Sequence, residues 1–170
     1  FLDKSRFQAL CLQHGIAIPR TWTLPDVSEL EKYIADITFP CLLKPSLIHV
    51  AKRFMHGKKV LVARNPEELR SLTQQLPDNA GEWLIQEIIP GEESRILLVA
   101  GYEGCNADAS DSFTARKLRQ YPPGFGSASC AVSEHCSESL ELASRLISAT
   151  GFKGVYAAEF KRDARDNQLQ

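Results

Sequence analysis

Between Ile37 and Pro66 the sequence carries Lys44, Lys52, Arg53, Lys58, Lys59 and Arg64, and neither Asp nor Glu. Such groups hold anions: an ammonium offers three donors to phosphate oxygens, and no neighbouring carboxylate in the window neutralises it. Lys44 is the sharpest of them. It ends the apolar run Phe39-Pro40-Cys41-Leu42-Leu43 and precedes Pro45, so a strand delivers its charge to one place. The plainer reading of such a lysine is a buried stem with its head in water. The whole chain has a formal net charge of only -1, which favours a small phosphate-bearing ligand over a nucleic acid. Nucleic-acid binding would also ask for stacking aromatics, and the window offers only Phe54.

Lys58 and Lys59 follow Gly57 and precede a strand, so alternation points one of the two toward a ligand and the other away. His49, Lys52, Arg53 and His56 read as solvated loop residues. A second constellation is Gln86-Glu87-Ile88-Ile89-Pro90-Gly91-Glu92-Glu93. A strand breaking at Pro-Gly leaves backbone donors and acceptors beside apolar side chains, which suits a flat purine. Glu93 stands just beyond, an acceptor for ribose hydroxyls or an exposed turn acid. Glu159, in Gly154-Val155-Tyr156-Ala157-Ala158-Glu159-Phe160-Lys161, shares a face with Val155 and Ala157 and needs either a metal or a salt bridge to Lys161. Alternation also puts Lys117 and Arg119 on one face, away from Arg116, as a second anion-binding pair. No phosphate-loop signature, Ser-His-Asp order or metal-binding His pair occurs.

The elements that must position these groups are legible from caps and periodicity. Asp3 caps a helix bearing Phe7, Leu10 and Cys11, with Gly15 as its stop. Ile16 to Leu24 is extended. Asp26-Val27-Ser28-Glu29 is a capping box that predicts a helix carrying Leu30, Ile34 and Ile37. Strands follow at Pro40 to Pro45 and Val60 to Ala63. Asn65-Pro66-Glu67-Glu68 then opens a helix with the stripe Leu69, Leu72, Leu76, and Trp83 to Ile89 is a strand. Beyond it come strands at Arg95 to Gly101, Ser112 to Leu118 and Ser127 to Val132. A helix from Ser137 to Thr150, with Glu141 and Arg145 spaced for an ion pair, precedes a strand from Gly154 to Lys161 and a polar turn. The fold class is α+β, with residues 1–88 and 89–170 as two lobes.

A length of 170 residues with 44% hydrophobic composition fills a core, and the five cysteines are scattered without C-x-x-C spacing, so neither structural zinc nor a disulfide framework is expected. No apolar run approaches the roughly 20 residues that span a bilayer. The cytoplasm is the expected compartment and no membrane partner is expected. Starting at Phe1 without Met, the chain reads as a piece of something longer.

The order of these motifs resembles the ATP-grasp superfamily, carboxylate-amine ligase type. The resemblance is carried by Asp3-Lys4 with Gly15-Ile16-Ala17-Ile18-Pro19, then Phe39 to Pro45, Gln86 to Gly91, and Gly154 to Phe160. It implies two α/β lobes, with mainly antiparallel sheets, that enclose a nucleotide cleft. It also implies ATP and Mg2+ as cofactors, with small-molecule carboxylate and amine substrates. By resemblance Lys4 and Lys44 hold phosphates, with Lys58 and Lys59 near them, and Gln86, Glu87, Ile88 and Ile89 line the adenine. Glu93 takes the ribose, Glu159 is the first of two acidic metal ligands, and Lys117 and Arg119 lie toward the γ-phosphate and the carboxylate. The chemistry implied is amide formation through an acyl phosphate. Three departures stand out: only Gly57 where relatives have a glycine-rich phosphate cover, Gln86 where they often have an acid, and a second metal ligand expected beyond Gln170. The C-terminal lobe therefore reads as incomplete, the chain alone as inactive, and any self-association as running through regions outside it. Other readings are a nucleotide-binding regulatory module without chemistry and an ATP-dependent carboxylase relative.

Overall fold

A computed structural model describes residues 3–47, 55, 58–77, 81–105 and 110–170. Of the basic window, His49, Lys52, Arg53, Phe54, His56 and Gly57 lie outside the described residues. The chain forms two compact units, one of Phe1–Ala9 and Ile18–Ile88, the other of Leu10–Ala17 and Ile89–Gln170. The architecture is α+β, with one four-stranded antiparallel sheet in each unit.

In the first unit, β1 (Thr21–Leu24), β2 (Cys41–Pro45), β3 (Leu61–Ala63) and β4 (Trp83–Glu87) pair in the order β1-β4-β2-β3. Strand alternation gives the sheet two unlike faces. Trp22, Leu24, Cys41, Leu43, Ala63, Trp83 and Ile85 pack with Leu30, Ile37, Met55, Leu69 and Leu76 into one apolar cluster. The opposite face presents Thr21, Leu42, Lys44, Leu84 and Gln86, because each is one residue out of phase with the core set. Helix α2 (Pro66–Gln74) closes the core, with the Asn65 side chain accepting from Glu68 N at 2.8 Å and Pro66 in its first turn. An N-terminal cap of this kind contributes about 1 kcal/mol.

The helix expected after Asp26 is instead a 3-10 turn, Val27–Lys32. The Asp26 carboxylate spends itself locally, accepting from Ser28 N at 2.8 Å and Ser28 Oγ at 2.6 Å. Tyr33 N–H then closes onto Leu30 O, a three-residue step that ends the element before Ile34 and Ile37.

The second unit orders β5 (Ile96–Glu103), β6 (Asp111–Tyr121), β7 (Ser127–Ser133) and β8 (Gly154–Lys161) as β7-β6-β5-β8. Helix α3 (Ser137–Thr150) covers one face, where Leu97, Val99, Ala143, Phe160 and Leu169 form the core. The other face carries Ile96, Leu98, Ala115, Lys117, Ala157, Glu159 and Lys161. The expected Glu141–Arg145 pair does not form. Arg145 Nη2 donates instead to the carbonyls of His14 at 2.7 Å and Gly15 at 3.2 Å. These terminate α1 (Lys4–Gln13), whose stop, Gly15, has φ of 61°.

The Pro90-Gly91 break is built for glycine: Gly91 has φ of 117°, and a Cβ there would lie 2.6 Å from Arg95 Cδ. Arg95 is held in that place by donating to Arg162 O at 3.0 Å and Asn167 Oδ1 at 3.0 Å. The polar turn after β8 brings Lys161 and Gln170 together through two backbone hydrogen bonds, 2.8 and 3.1 Å long. No helix of the described residues is long and apolar enough to cross a membrane.

Candidate functional site

In the first unit the functional groups gather on the sheet face that α2 does not cover. Lys44 leaves the middle of that face near the end of β2, diagonal to Gln86 on β4, and its Nζ donates to Gln86 Oε1. Lys4, in the first turn of α1, reaches the same strand end, where its Nζ donates to Pro45 O at 3.0 Å. No carboxylate among the described residues lies within ion-pair distance of either ammonium. Burial, with the charge of Lys4 adding to it, lowers the Lys44 pKa from 10.5 to about 8. Lys4 is itself lowered by burial, against the opposing pull of Asp3. Two part-buried ammonium groups at one strand end, the charge of Lys4 depressing the proton affinity of Lys44 and no carboxylate of the described residues within ion-pair distance, make a place for an anion.

The remaining expected residues of this unit fall differently. Lys58 and Lys59 are exposed and lie before β3, so strand alternation does not choose between them. Glu87 is buried, on the core side of β4; its carboxylate accepts from Arg20 N at 2.9 Å, and Glu87 N donates to Arg20 O at 2.9 Å. Ile88 N–H donates to Pro40 O at 3.4 Å. Among the described residues the Ile88 carbonyl and the Ile89 amide have no hydrogen-bond partner. Gln86 is committed at both ends, since its Nε2 donates to Thr21 Oγ1 at 2.9 Å.

In the second unit the centre is Lys117, whose side chain is 1% exposed. Its Nζ lies 3.0 Å from Glu159 Oε2, 3.4 Å from Gln120 Oε1 and 3.5 Å from Gly126 O. The salt bridge weighed for Glu159 exists, but with Lys117 rather than Lys161. Lys161 sits beside it on the same face, its pKa lowered chiefly by burial. Arg119 does not share the face of Lys117. The β6–β7 register shifts on both sides of Arg119, which breaks the period-2 rule and puts Gln120 where alternation expects Arg119. Arg119 is exposed, and Arg116, on the core side of β6, pairs with Glu134 at 2.6 Å.

Glu93 accepts from Gln120 N at 3.2 Å, Gln120 Nε2 at 2.9 Å and Gly124 N at 2.9 Å. The Gly124 amide first, then the Gln120 side chain, hold its carboxyl below the ordinary range. Its oxygens thus fasten the turn that ends β6. Glu159 keeps Oε1 without a donor among the described residues, and no group of three His, Cys, Asp or Glu side chains gathers there to hold a metal. One carboxylate suits only a cation that brings its other ligands, as magnesium does with water and phosphate.

Thr21, Gln120 and Gly126 join these clusters without having been singled out in the sequence. Thr21 meets Gln86 through strand register, and Gln120 meets Lys117 through the bulge; neither leaves a local signal.

An α+β chain with two antiparallel sheets, each helix-covered on one face and charged on the other, defines the class. The chain belongs to the RimK-like ATP-grasp domain family, whose model matches residues 2–103. No curated protein sequence matches it significantly. Among solved structures it is similar to an N5-carboxyaminoimidazole synthetase from Staphylococcus aureus complexed with ADP, with TM-score 0.72, 14% identity, and coverage of 99% of this chain and 42% of that one. It is also similar to the VanG D-Ala:D-Ser ligase from Enterococcus faecalis (TM-score 0.71, 15% identity, 99% and 50% coverage). The D-alanine-D-alanine ligase from Coxiella burnetii gives TM-score 0.69 at 13% identity, with 99% and 45% coverage. At these identities the likeness is one of fold. The chain spans 42% to 50% of the length of these structures.

Proposed function

We propose that the chain is the ATP-binding core of an ATP-dependent ligase that joins a small carboxylate to an amine through an acyl phosphate. The observation that carries this reading is the pair Lys4 and Lys44, two ammonium groups at one strand end with no carboxylate of the described residues within ion-pair distance. In this proposal they take the nucleotide phosphates, with the exposed Lys58 and Lys59 adding charge from the preceding loop. Adenine is read by the Ile88 carbonyl and the Ile89 amide rather than by Gln86, whose amide is engaged. Glu87 acts by fixing the Arg20 backbone. Glu93 is assigned to shaping the turn that leads from β6, and the ribose contact expected of it is secondary.

On the second unit Glu159 is the proposed protein ligand for magnesium carried on the phosphates, where the metal would spread the charge of the transferring group. Lys117 and Arg119 are proposed to attend the γ-phosphate and the substrate carboxylate. Lys117 holds the Glu159 carboxylate in place, and Arg119 supplies an exposed guanidinium from the bulge.

Calorimetric titration with Mg-ATP tests the reading. The expected result is nucleotide binding that weakens at least about tenfold in both Lys4→Ala and Lys44→Ala, as removal of a charge-assisted contact requires. Wild-type affinity in both variants would sink it. A second reading, nucleotide binding without chemistry, is favoured by the way Lys117 already neutralises Glu159. Binding without ADP release in the presence of candidate carboxylates and amines separates the two.

A further inference from the structure

We propose that Thr21 is a positioning residue for the Lys44 ammonium, acting through the side-chain amide of Gln86. Thr21 Oγ1 lies 2.7 Å from Pro19 O, an atom that only accepts, so the single hydroxyl proton of Thr21 points there. What Thr21 then presents to Gln86 is a lone pair, and the group 2.9 Å from it must be the amide NH2. Because the amide is planar, fixing its nitrogen on Thr21 turns Oε1 to Lys44 Nζ. Reversing the amide would set two acceptors against each other at Thr21 and two donors at Lys44. A backbone carbonyl in the segment before β1 thereby orients a charged group on β2, across three neighbouring strands.

Lys44 spends one proton on Gln86 and keeps two for an anion. The charged group that faces it among the described residues is Lys4, from α1. The Thr21 hydroxyl meets Pro19 O and the Gln86 amide and not the ammonium, so its effect on Lys44 travels through Gln86. The inference rests on the reading of Lys44 as an anion-holding group, but the orientation itself is measurable in the ligand-free chain.

The experiment follows the Lys44 titration by NMR in protein labelled at lysine Cε, assigned with Lys44→Arg, in wild type, Thr21→Ser and Thr21→Val. Serine keeps the hydroxyl and is expected to keep the wild-type midpoint. Valine releases the amide and is expected to lower the midpoint by roughly half a pH unit or more, since the ammonium loses an acceptor. In a Gln86→Leu background the same Thr21→Val change is expected to move nothing further, which a general disturbance of β1 would not reproduce. Thr21→Ala gives the same comparison should valine perturb the strand. An unmoved midpoint in Thr21→Val and Thr21→Ala, or an undiminished effect without Gln86, overturns the proposal. A shifted midpoint with unchanged ATP affinity upholds the positioning and overturns instead the assignment of Lys44 to nucleotide phosphate.

Discussion

Lys117 Nζ lies 3.0 Å from Glu159 Oε2, yet the two partners are unequally wet: the lysine side chain is 1% exposed and the glutamate 52%. The asymmetry decides what each loss costs. Removing the acid strands a cation in a dry place, whereas removing the cation leaves a carboxylate that water can reach.

Glu159→Ala is therefore expected to destabilise the chain by roughly 1–3 kcal/mol, the penalty for a buried ammonium that loses its counter-ion and keeps only the neutral acceptors Gln120 Oε1 and Gly126 O. Lys117→Met should cost clearly less. Urea unfolding of both variants checks the order, and the reverse ranking would show that the pair is not what keeps Lys117 buried.

Nucleotide affinity should fall as pH rises past about 8, the value to which burial and Lys4 bring Lys44 from its ordinary 10.5. Above that pH the free chain has lost the proton that an anion requires, so binding must take one up, at a cost of up to about tenfold per pH unit. In the absence of ligand the sign is opposite for folding. Between about 8 and 10.5 the unfolded chain holds the proton and the folded chain does not, so this group makes the fold more stable as pH climbs through that window. Calorimetry and thermal unfolding at pH 7 and pH 9 read the two trends.

Lys4→Ala should raise the Lys44 titration midpoint while weakening nucleotide binding. The two effects have one cause, because Lys4 repels the Lys44 charge and, in the proposed site, attracts the same phosphates. A midpoint that stays put would place Lys4 too far away to share the anion.

Glu93→Ala should loosen the turn that follows β6, seen as faster amide exchange at Gly124, whose N–H loses its acceptor. Acid should do the same to the wild type. The folded carboxyl titrates below its ordinary 4.5, so the stability it adds is present above that value and disappears as pH falls through the folded one. Gly124 exchange that is indifferent to both changes would remove Glu93 from this role.

Much of the fold was legible. Asn65-Pro66 opens α2, Gly15 and Gly151 end helices with φ of 61° and 62°, and β8 runs from Gly154 to Lys161 as its alternation predicts. These signals are local, a cap or a period within one element. Where two local rules competed, the prediction slipped: Asp26 used its carboxylate on Ser28, and the helix became a 3-10 turn. The site was legible as residue types, less so as partners. Lys44 and Glu159 stand on the faces that alternation gives them, but the hydroxyl of Thr21 and the ammonium of Lys117 arrive from strands whose register is set by the whole sheet. The bulge beside Arg119 carries no glycine or proline to announce it.

The two carbonyls that Arg145 takes from His14 and Gly15 have a bearing on the order of events in folding. The sequence separation is 131 residues for the first of them, so a distant partner is added to the local bonds, Gly15 N to Leu12 O and Ile16 N to Cys11 O, that close the end of α1. The two carbonyls wait for Arg145 to be made, and the contact that engages them carries the entropy of a long loop. The second unit thus joins residues 10–17 to residues 89–170, with the strands of the first sheet between them in sequence. Its maturation waits on the C-terminal half, however early the first sheet has formed.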